Sequence, residues 1–200
     1  MTHNESVDDS LSVGRRPLLR TVGRGLAGTA LLTGPVGAAS ARSDEFTHEL
    51  NEVRTATRKY RNVATARADG YDTQVSPYTP NMGFHFVNPA LVAADADSVV
   101  DISEPPILVY YTTGNYSPGP GDVHDPARDK DLRLGGVEFA HGETGAAGNI
   151  FSDEAASRTL KVSEEDGWGP IPNTPLMALH VWVHRGNPDG VFNPTNPTID

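Results

Sequence analysis

The sequence predicts an α+β domain: an antiparallel sheet, which could be curled, with an N-terminal amphipathic helix packed on one face. One observation is a helical repeat of apolar residues early in the chain. The other is a set of four short segments rich in β-branched and aromatic residues and bounded by Pro, Gly, Asn or Asp. So few strands with long connections favour antiparallel pairing, and the sheet is needed to cover the apolar face of the helix.

The helix is predicted to begin at Ser43 and to end at Gly70. Its apolar stripe repeats at spacings of three and four residues and comprises Phe46, Leu50, Val53, Thr57, Tyr60 and Ala64. Ser43, Asp44 and Glu45 provide oxygens and negative charge for the first turn, where backbone N–H groups lack partners. Gly70 provides the conformational freedom that a helix end requires.

The four strands are predicted at residues 82–87, 107–112, 132–140 and 176–183. Stretches 114–131 and 142–148 are dense in turn residues and predict loops, and Ser152 could cap a short second helix over 152–160. Three Asn-Pro pairs follow Arg185 and disfavour both helix and central strand. The C-terminal segment is therefore predicted to be an extended tail that wraps the surface.

Residues 1–41 resemble a twin-arginine export signal. Arg15-Arg16 is followed by Leu18-Leu19, and the uncharged run from 25 to 41 ends in Ala39-Ser40-Ala41, which provides the small residues that a signal peptidase accepts. The alternative is a membrane anchor, but this Gly-rich run is shorter than the about 20 apolar residues that a span needs. We therefore expect cleavage after Ala41, one secreted domain over 42–200, and no stable membrane insertion.

Composition narrows the function classes. The chain has 200 residues, a formal charge of −10 and no cysteine. The absence of cysteine excludes disulfides, thiolate metal sites and a Cys nucleophile, so any metal must be held by His, Asp or Glu. The acidic balance argues against nucleic acid and anionic membranes as partners. The lysines after residue 41 are Lys59, Lys130 and Lys161, and an acidic, lysine-poor protein is typical of a halophilic source.

The last predicted strand carries the strongest functional signal. Leu179, Val181 and Val183 alternate with a second set of residues, which comprises Ala178, His180, Trp182 and His184. The first set predicts a core face, and the second predicts the wall of a pocket for a small-molecule ligand. In a strand, His180 and His184 lie about 13 Å apart, so together they cannot bind one ion.

Two other strands could complete a metal site with His180. His85 lies opposite the face of Phe84 and Phe86, and Glu138 lies opposite the face of its two apolar neighbours. If these strands are neighbours, His85, Glu138 and His180 converge as a set of ligands suited to zinc, iron or copper. The alternative is a hydrogen-bonded polar cluster without metal, in a non-catalytic extracellular structural or interaction module.

Other motifs do not predict a reaction. The loop that contains His124 also holds a group of acids, namely Asp122, Asp125, Asp129 and Asp131. The loop lacks the glycine and terminal glutamate of the helix-loop-helix calcium pattern, so a hydrated acidic loop is favoured over a calcium site. The sequence has no Gly-x-Ser-x-Gly, His-Glu-x-x-His, phosphate-loop or dinucleotide motif. Whether the protein is an enzyme stays open.

Several sequence blocks resemble an uncharacterised family of exported bacterial and archaeal proteins. The blocks are Met82-Gly83-x-His85-x-x-Asn88, Gly136-Val137-Glu138-Phe139, and Leu179-His180-x-Trp182 running into Asn187-Pro188-x-Gly190-x-Phe192. The resemblance implies a shared domain and no particular activity. It adds Asn88 and Asn187 to Trp182 as expected ligand-pocket residues, beside the three candidate metal ligands.

Overall fold

The computed structural model describes residues 36–92, 100–142, 151, 168–171 and 174–199, with side chains described from Asp44 onward. The chain divides into two units, Met1–Gly34 and Pro35–Asp200, and the described residues all belong to the second. Most of the predicted export signal, the predicted helix at 152–160 and most of the predicted loop at 142–148 lie outside the described residues. Within the part of the chain that is described, no helix is long and apolar enough to cross a membrane.

The predicted α+β class is confirmed. In the described residues, six antiparallel strands form one sheet, strongly curled into a half-barrel, in the order β1-β2-β3-β4-β6-β5. The strands are β1 Thr73–Thr79, β2 Gly83–Val87, β3 Ile107–Thr112, β4 Leu132–Gly142, β5 Trp168–Pro170 and β6 Leu176–Val181. The four predicted strands are β2, β3, β4 and β6.

The two edge strands of the sheet, β1 and β5, are not among the predicted strands. β1 contains Pro77, and most of its residues are at least partly exposed. β5 has three residues and ends in Pro170. Proline cannot donate to a ladder of hydrogen bonds and is tolerated at sheet edges, so neither segment has the uniform apolar pattern of a central strand.

The predicted N-terminal helix is present but differs at both ends. Helix α1 spans Val36–Thr57, so Ser43, Asp44 and Glu45 lie within the helix and the predicted cap is wrong. The Ala-rich residues before Ser43 continue the helix because alanine has the highest helix propensity. A 3₁₀ segment, Arg58–Arg61, follows α1, and helix α2 spans Val63–Ala68.

The break between the two helices occurs at Asn62. Its backbone is extended, and its side chain accepts a hydrogen bond of 3.0 Å from the N–H of Ala64, which caps α2. The break changes which residues face the sheet, so Val63 and Ala66 are buried whereas Ala64 is exposed, contrary to the predicted stripe. Gly70, with φ of 96°, follows α2 as predicted.

The main core lies between the helical segment and one face of the sheet. It contains Val53 and Tyr60 from the helical segment and, from the sheet, Phe84, Phe86, Tyr110, Val137, Phe139, Leu179 and Val181. The hydroxyl of Tyr110 donates to the carbonyl of Tyr60 at 2.6 Å and ties β3 to the helical segment. Full burial of each large apolar side chain stabilises the fold by about 1.5–3 kcal/mol. This face of the sheet is therefore the structural core, and the opposite face is available for a site.

The C-terminal segment has neither helix nor strand over 186–199, as predicted, but its path differs from the predicted surface tail. The side chains of Asn187, Asn193 and Asn196 each accept a hydrogen bond from the backbone N–H two residues later. These local bonds produce turns rather than an extended chain. The end of the segment is buried, because Asn196 is 0% exposed and Ile199 packs against Trp182.

Candidate metal centre

Three strands place His85, Glu138 and His180 on the sheet face opposite the main core. Glu138 on β4 is the direct cross-strand partner of His180 on β6. His85 on β2 lies three strand spacings from β6, about 14 Å in a flat sheet. Side chains stand roughly perpendicular to a sheet, so the curl toward this face is what brings His85 and His180 into contact.

The ligand-type atoms of this His–Glu–His cluster lie within 4.8 Å of one another. The two imidazole Nε2 atoms are 3.3 Å apart, and the Nε2 of His85 is 3.5 Å from the Oε1 of Glu138. The same oxygen of Glu138 contacts the Nε2 of His180 directly. Two imidazoles on a tetrahedral zinc ion, each about 2.0–2.1 Å from the metal, have nitrogens about 3.3 Å apart. The separation of the two histidines therefore matches shared coordination.

The cluster is buried and carries a charged carboxylate. The side chains of His85, Glu138 and His180 are 7%, 6% and 5% exposed. Burial alone would raise the pKa of Glu138, but the adjacent imidazoles of His180 and His85 outweigh it and hold this pKa well below its usual range. A buried carboxylate beside two imidazoles needs a compensating positive charge, which either a proton on an imidazole or a divalent cation would supply.

The hydroxyl of Ser76 on the edge strand β1 contacts the other side of His85. The Oγ of Ser76 is 2.8 Å from the Nδ1 of His85. If Nδ1–H donates to this hydroxyl, the lone pair of His85 is on Nε2, the atom that faces the cluster. Sequence reasoning missed Ser76 because it missed β1. The β-branched residues Thr73 and Val75 at alternate positions were the signal available.

Trp182 lies on the same face, beside the cluster. Its ring stacks on His180 with ring centres 5.9 Å apart and an interplanar angle of 23°. The indole N–H donates to the carbonyl of Asn193 at 2.7 Å, so the C-terminal segment holds the ring in place. The structure therefore brings Trp182 to the cluster, as expected for a wall of the pocket.

The structure does not bring Asn88 and Asn187 to the cluster. The side chain of Asn88 accepts from the N–H of Ala90 and donates to the carbonyl of Asp69. The side chain of Asn187 makes equivalent bonds within the C-terminal segment, to Asp189 and Thr195. Both amides therefore stabilise turns, the usual role of an asparagine that precedes proline.

His184 does not share the face of His180, and this part of the predicted alternation is wrong. β6 ends at Val181, and the N–H of Val183 bonds back to the carbonyl of Val181. The chain turns there, and the Nε2 of His184 lies 2.8 Å from the Oγ1 of Thr57 on α1. Strand alternation holds only while the backbone stays extended, so the pattern could not be continued past Val181.

The acidic loop is held together by its own partners. Asp129 contacts the Nε2 of His124 at 2.7 Å and a guanidinium nitrogen of Arg67 at 3.2 Å. Asp131 pairs with Arg128, and the carboxylates of Asp122 and Asp125 accept backbone N–H bonds. Among the described residues, His85, Glu138 and His180 form the one group of three or more metal-ligand side chains whose ligand atoms converge.

No protein-family model, curated protein or solved structure matches the chain. The resemblance seen in the sequence blocks therefore stays an expectation.

Proposed function

We propose that this protein is exported and binds one divalent transition-metal ion, zinc, iron or copper, through His85, Glu138 and His180. The observation that carries the proposal is the convergence of two imidazole nitrogens and one carboxylate oxygen within 4.8 Å in a buried site. Three lone-pair atoms that face one another repel unless a proton or a cation lies among them. A divalent cation satisfies all three at once.

The arrangement also leaves coordination positions open. First-row divalent ions take four to six ligands, and the cluster offers three from the described residues. Two histidines and one carboxylate with open positions support chemistry on bound water or on another small ligand. The hydroxyl of Ser76 would orient the imidazole of His85, as hydrogen-bond partners of metal-bound histidines do.

The competing function is a structural or interaction module in which the cluster is held by protons alone. The direct contact between the Glu138 carboxylate and the Nε2 of His180 favours it, because a protonated imidazole donates a charge-assisted hydrogen bond to such a carboxylate. In that case, loss of His180 would change stability and leave the metal content of the protein unaffected.

Elemental analysis of the full chain, purified without a polyhistidine tag, distinguishes the two functions. We expect about one equivalent of a transition metal after soaking, and its loss in His180→Ala and in Glu138→Gln, which keeps the shape of the side chain. Zinc at a hundredfold excess over its Kd should add about 2.7 kcal/mol to the free energy of unfolding of the native protein only.

His48→Ala provides the matched control, because His48 is exposed on α1. This variant should bind metal as the native protein does, which separates loss of the site from loss of any one histidine. Far-UV circular dichroism must show that each variant is folded. Native protein that stays metal-free after soaking with zinc, iron and copper would contradict the proposal and favour the module.

A further inference from the structure

Every same-face neighbour of the three ligands along their own strands is small or apolar. The residues two positions before and after each ligand are Gly83, Val87, Gly136, Ala140, Ala178 and Trp182. Strand β3, which separates β2 from β4, contributes Ile107 opposite Glu138 and Val109 opposite His85. The ligands are thus the polar centre of an otherwise apolar surface.

These neighbours form two compact apolar groups that flank the cluster. Val87, Ile107 and Ala140 pack together on one side, with Val92 and Ile171 against them. Val109, Trp182 and Ile199 pack together on the other side, with Tyr111 against them. The polar groups beside the cluster that have a described partner are already engaged: the hydroxyl of Ser76 contacts His85, and the indole N–H of Trp182 donates to Asn193.

The described side chains nearest the metal ligands differ in bulk on the two sides. On the Trp182 side, a Cβ at Gly136 would lie 2.8 Å from the carbonyl oxygen of Val181 and 3.2 Å from the indole, so that side is filled. On the other side, the row Ala140, Ala178 and Gly169 crosses β4, β6 and β5. No described atom lies within 4 Å of a Cβ built at Gly169.

The chemistry of this surface selects among ligands. On the side of Val87, Ile107 and Ala140, an anionic or strongly hydrogen-bonding ligand would lose its hydration and find no charged or donor side chain among the described neighbours, which costs several kcal/mol. An uncharged ligand of two heavy atoms needs little space and no hydrogen-bond partner. A set of two histidines and one carboxylate with open positions is typical of ferrous sites that bind dioxygen.

We infer that the open positions of a ferrous ion in this centre bind a small uncharged ligand of the size of dioxygen, on the side of the Ala140, Ala178 and Gly169 row. The inference rests on the metal binding proposed above and adds the class of ligand. It concerns coordination of the ligand and requires no chemical change in it.

Nitric oxide is a suitable probe because it is uncharged, diatomic and gives an iron–nitrosyl signal in electron paramagnetic resonance. The full chain is loaded with Fe²⁺ without oxygen, its iron content is measured, and nitric oxide is then added. We expect a nitrosyl signal close to one per bound iron, and no change in that signal when inorganic phosphate is present in excess. The protein in this experiment carries no substitution at Trp182 or at any other residue of the site.

Ala178→Leu tests the position of the ligand. Leucine would place three added carbons two residues before His180, on the face where the ligand is inferred to bind, so iron should be retained while the affinity for nitric oxide falls about tenfold or more, equivalent to about 1.4 kcal/mol. Val123→Leu, at a side chain that is 75% exposed, is the matched control and should bind nitric oxide normally. If Ala178→Leu does not fold, Gly169→Leu tests the same row at a position with space for the side chain.

The outcomes separate the two proposals. Bound iron without a nitrosyl signal, a signal that phosphate suppresses, or full nitric oxide affinity in the folded row variants would each overturn this inference and leave metal binding intact. Binding of zinc but not iron would also overturn this inference and leave the proposed metal binding intact. Failure to bind any of these metals would overturn the proposed function itself.

Discussion

His184 should make the protein less stable in mild acid. The hydroxyl of Thr57 already donates to the carbonyl of Val53 at 2.6 Å, so the Nε2–H of His184 must donate to the Oγ1 of Thr57. The proton-free Nδ1 is buried and has no hydrogen-bond partner in the described structure. Burial, together with the guanidinium groups of Arg61 and Arg54, lowers the pKa of His184 to about 4.

The sign and size of the effect follow from proton linkage. In the unfolded chain the pKa of a histidine is about 6.5, so between about pH 6.5 and pH 4 the unfolded state binds a proton that the folded state does not. The contribution of neutral His184 to the free energy of unfolding is therefore fully present above pH 6.5 and is lost as the pH falls toward 4. The full difference would be about 3 kcal/mol, and solvent screening of this partly exposed ring reduces it to about 1–2 kcal/mol.

Urea unfolding of the native protein and of His184→Gln, at about pH 7.5 and pH 4.5, measures this contribution. Glutamine keeps an N–H for Thr57 but does not titrate. The native protein should lose about 1–2 kcal/mol more than the variant between the two pH values, since contributions from Glu138 are common to both. Equal losses in the two proteins would refute the assignment of a neutral, buried imidazole.

Two further predictions concern the cluster and its support. Trp182 stacks on His180, whereas Trp168 packs in the main core. Added Cu²⁺ should therefore quench the fluorescence of Trp168→Phe, which keeps Trp182, as strongly as that of the native protein. It should quench the fluorescence of Trp182→Phe much less. Similar quenching in both variants would place the ion elsewhere. Gly83 has φ of 80°, and a Cβ there would lie 2.2 Å from the carbonyl oxygen of Tyr110, so Gly83→Ala should lower the free energy of unfolding by at least about 2 kcal/mol. A loss below about 0.5 kcal/mol in urea unfolding would show that the turn before β2 relaxes freely.

The central strands are the elements that the sequence predicts most accurately. The predicted segment 107–112 coincides with β3, and the other three predicted strands differ from the observed ones by one or two residues at an end. These segments are enriched in β-branched and aromatic residues because both faces of the sheet are buried there, which makes the signal strong. The edge strands β1 and β5 carry proline and a weaker pattern, so they and Ser76 were missed.

The helical segment shows where a local pattern is insufficient. The spacing of Val53, Thr57 and Tyr60 predicted the buried face through the first part of the segment. Because the helix breaks at Asn62, Val63 and Ala66 face the core and the predicted Ala64 does not. A side-chain cap that competes with the helical hydrogen bonds can interrupt a periodic pattern without any Gly or Pro.

The sequence by itself determined which way the side chains of His85, Glu138 and His180 point, because alternation along a strand is a local consequence of backbone geometry. It did not determine that the three meet. The order of the strands and the curl of the sheet depend on packing between residues far apart in the chain. Only the tertiary structure, by placing β4 beside β6 and curling β2 toward them, brought their nitrogen and oxygen atoms to one point.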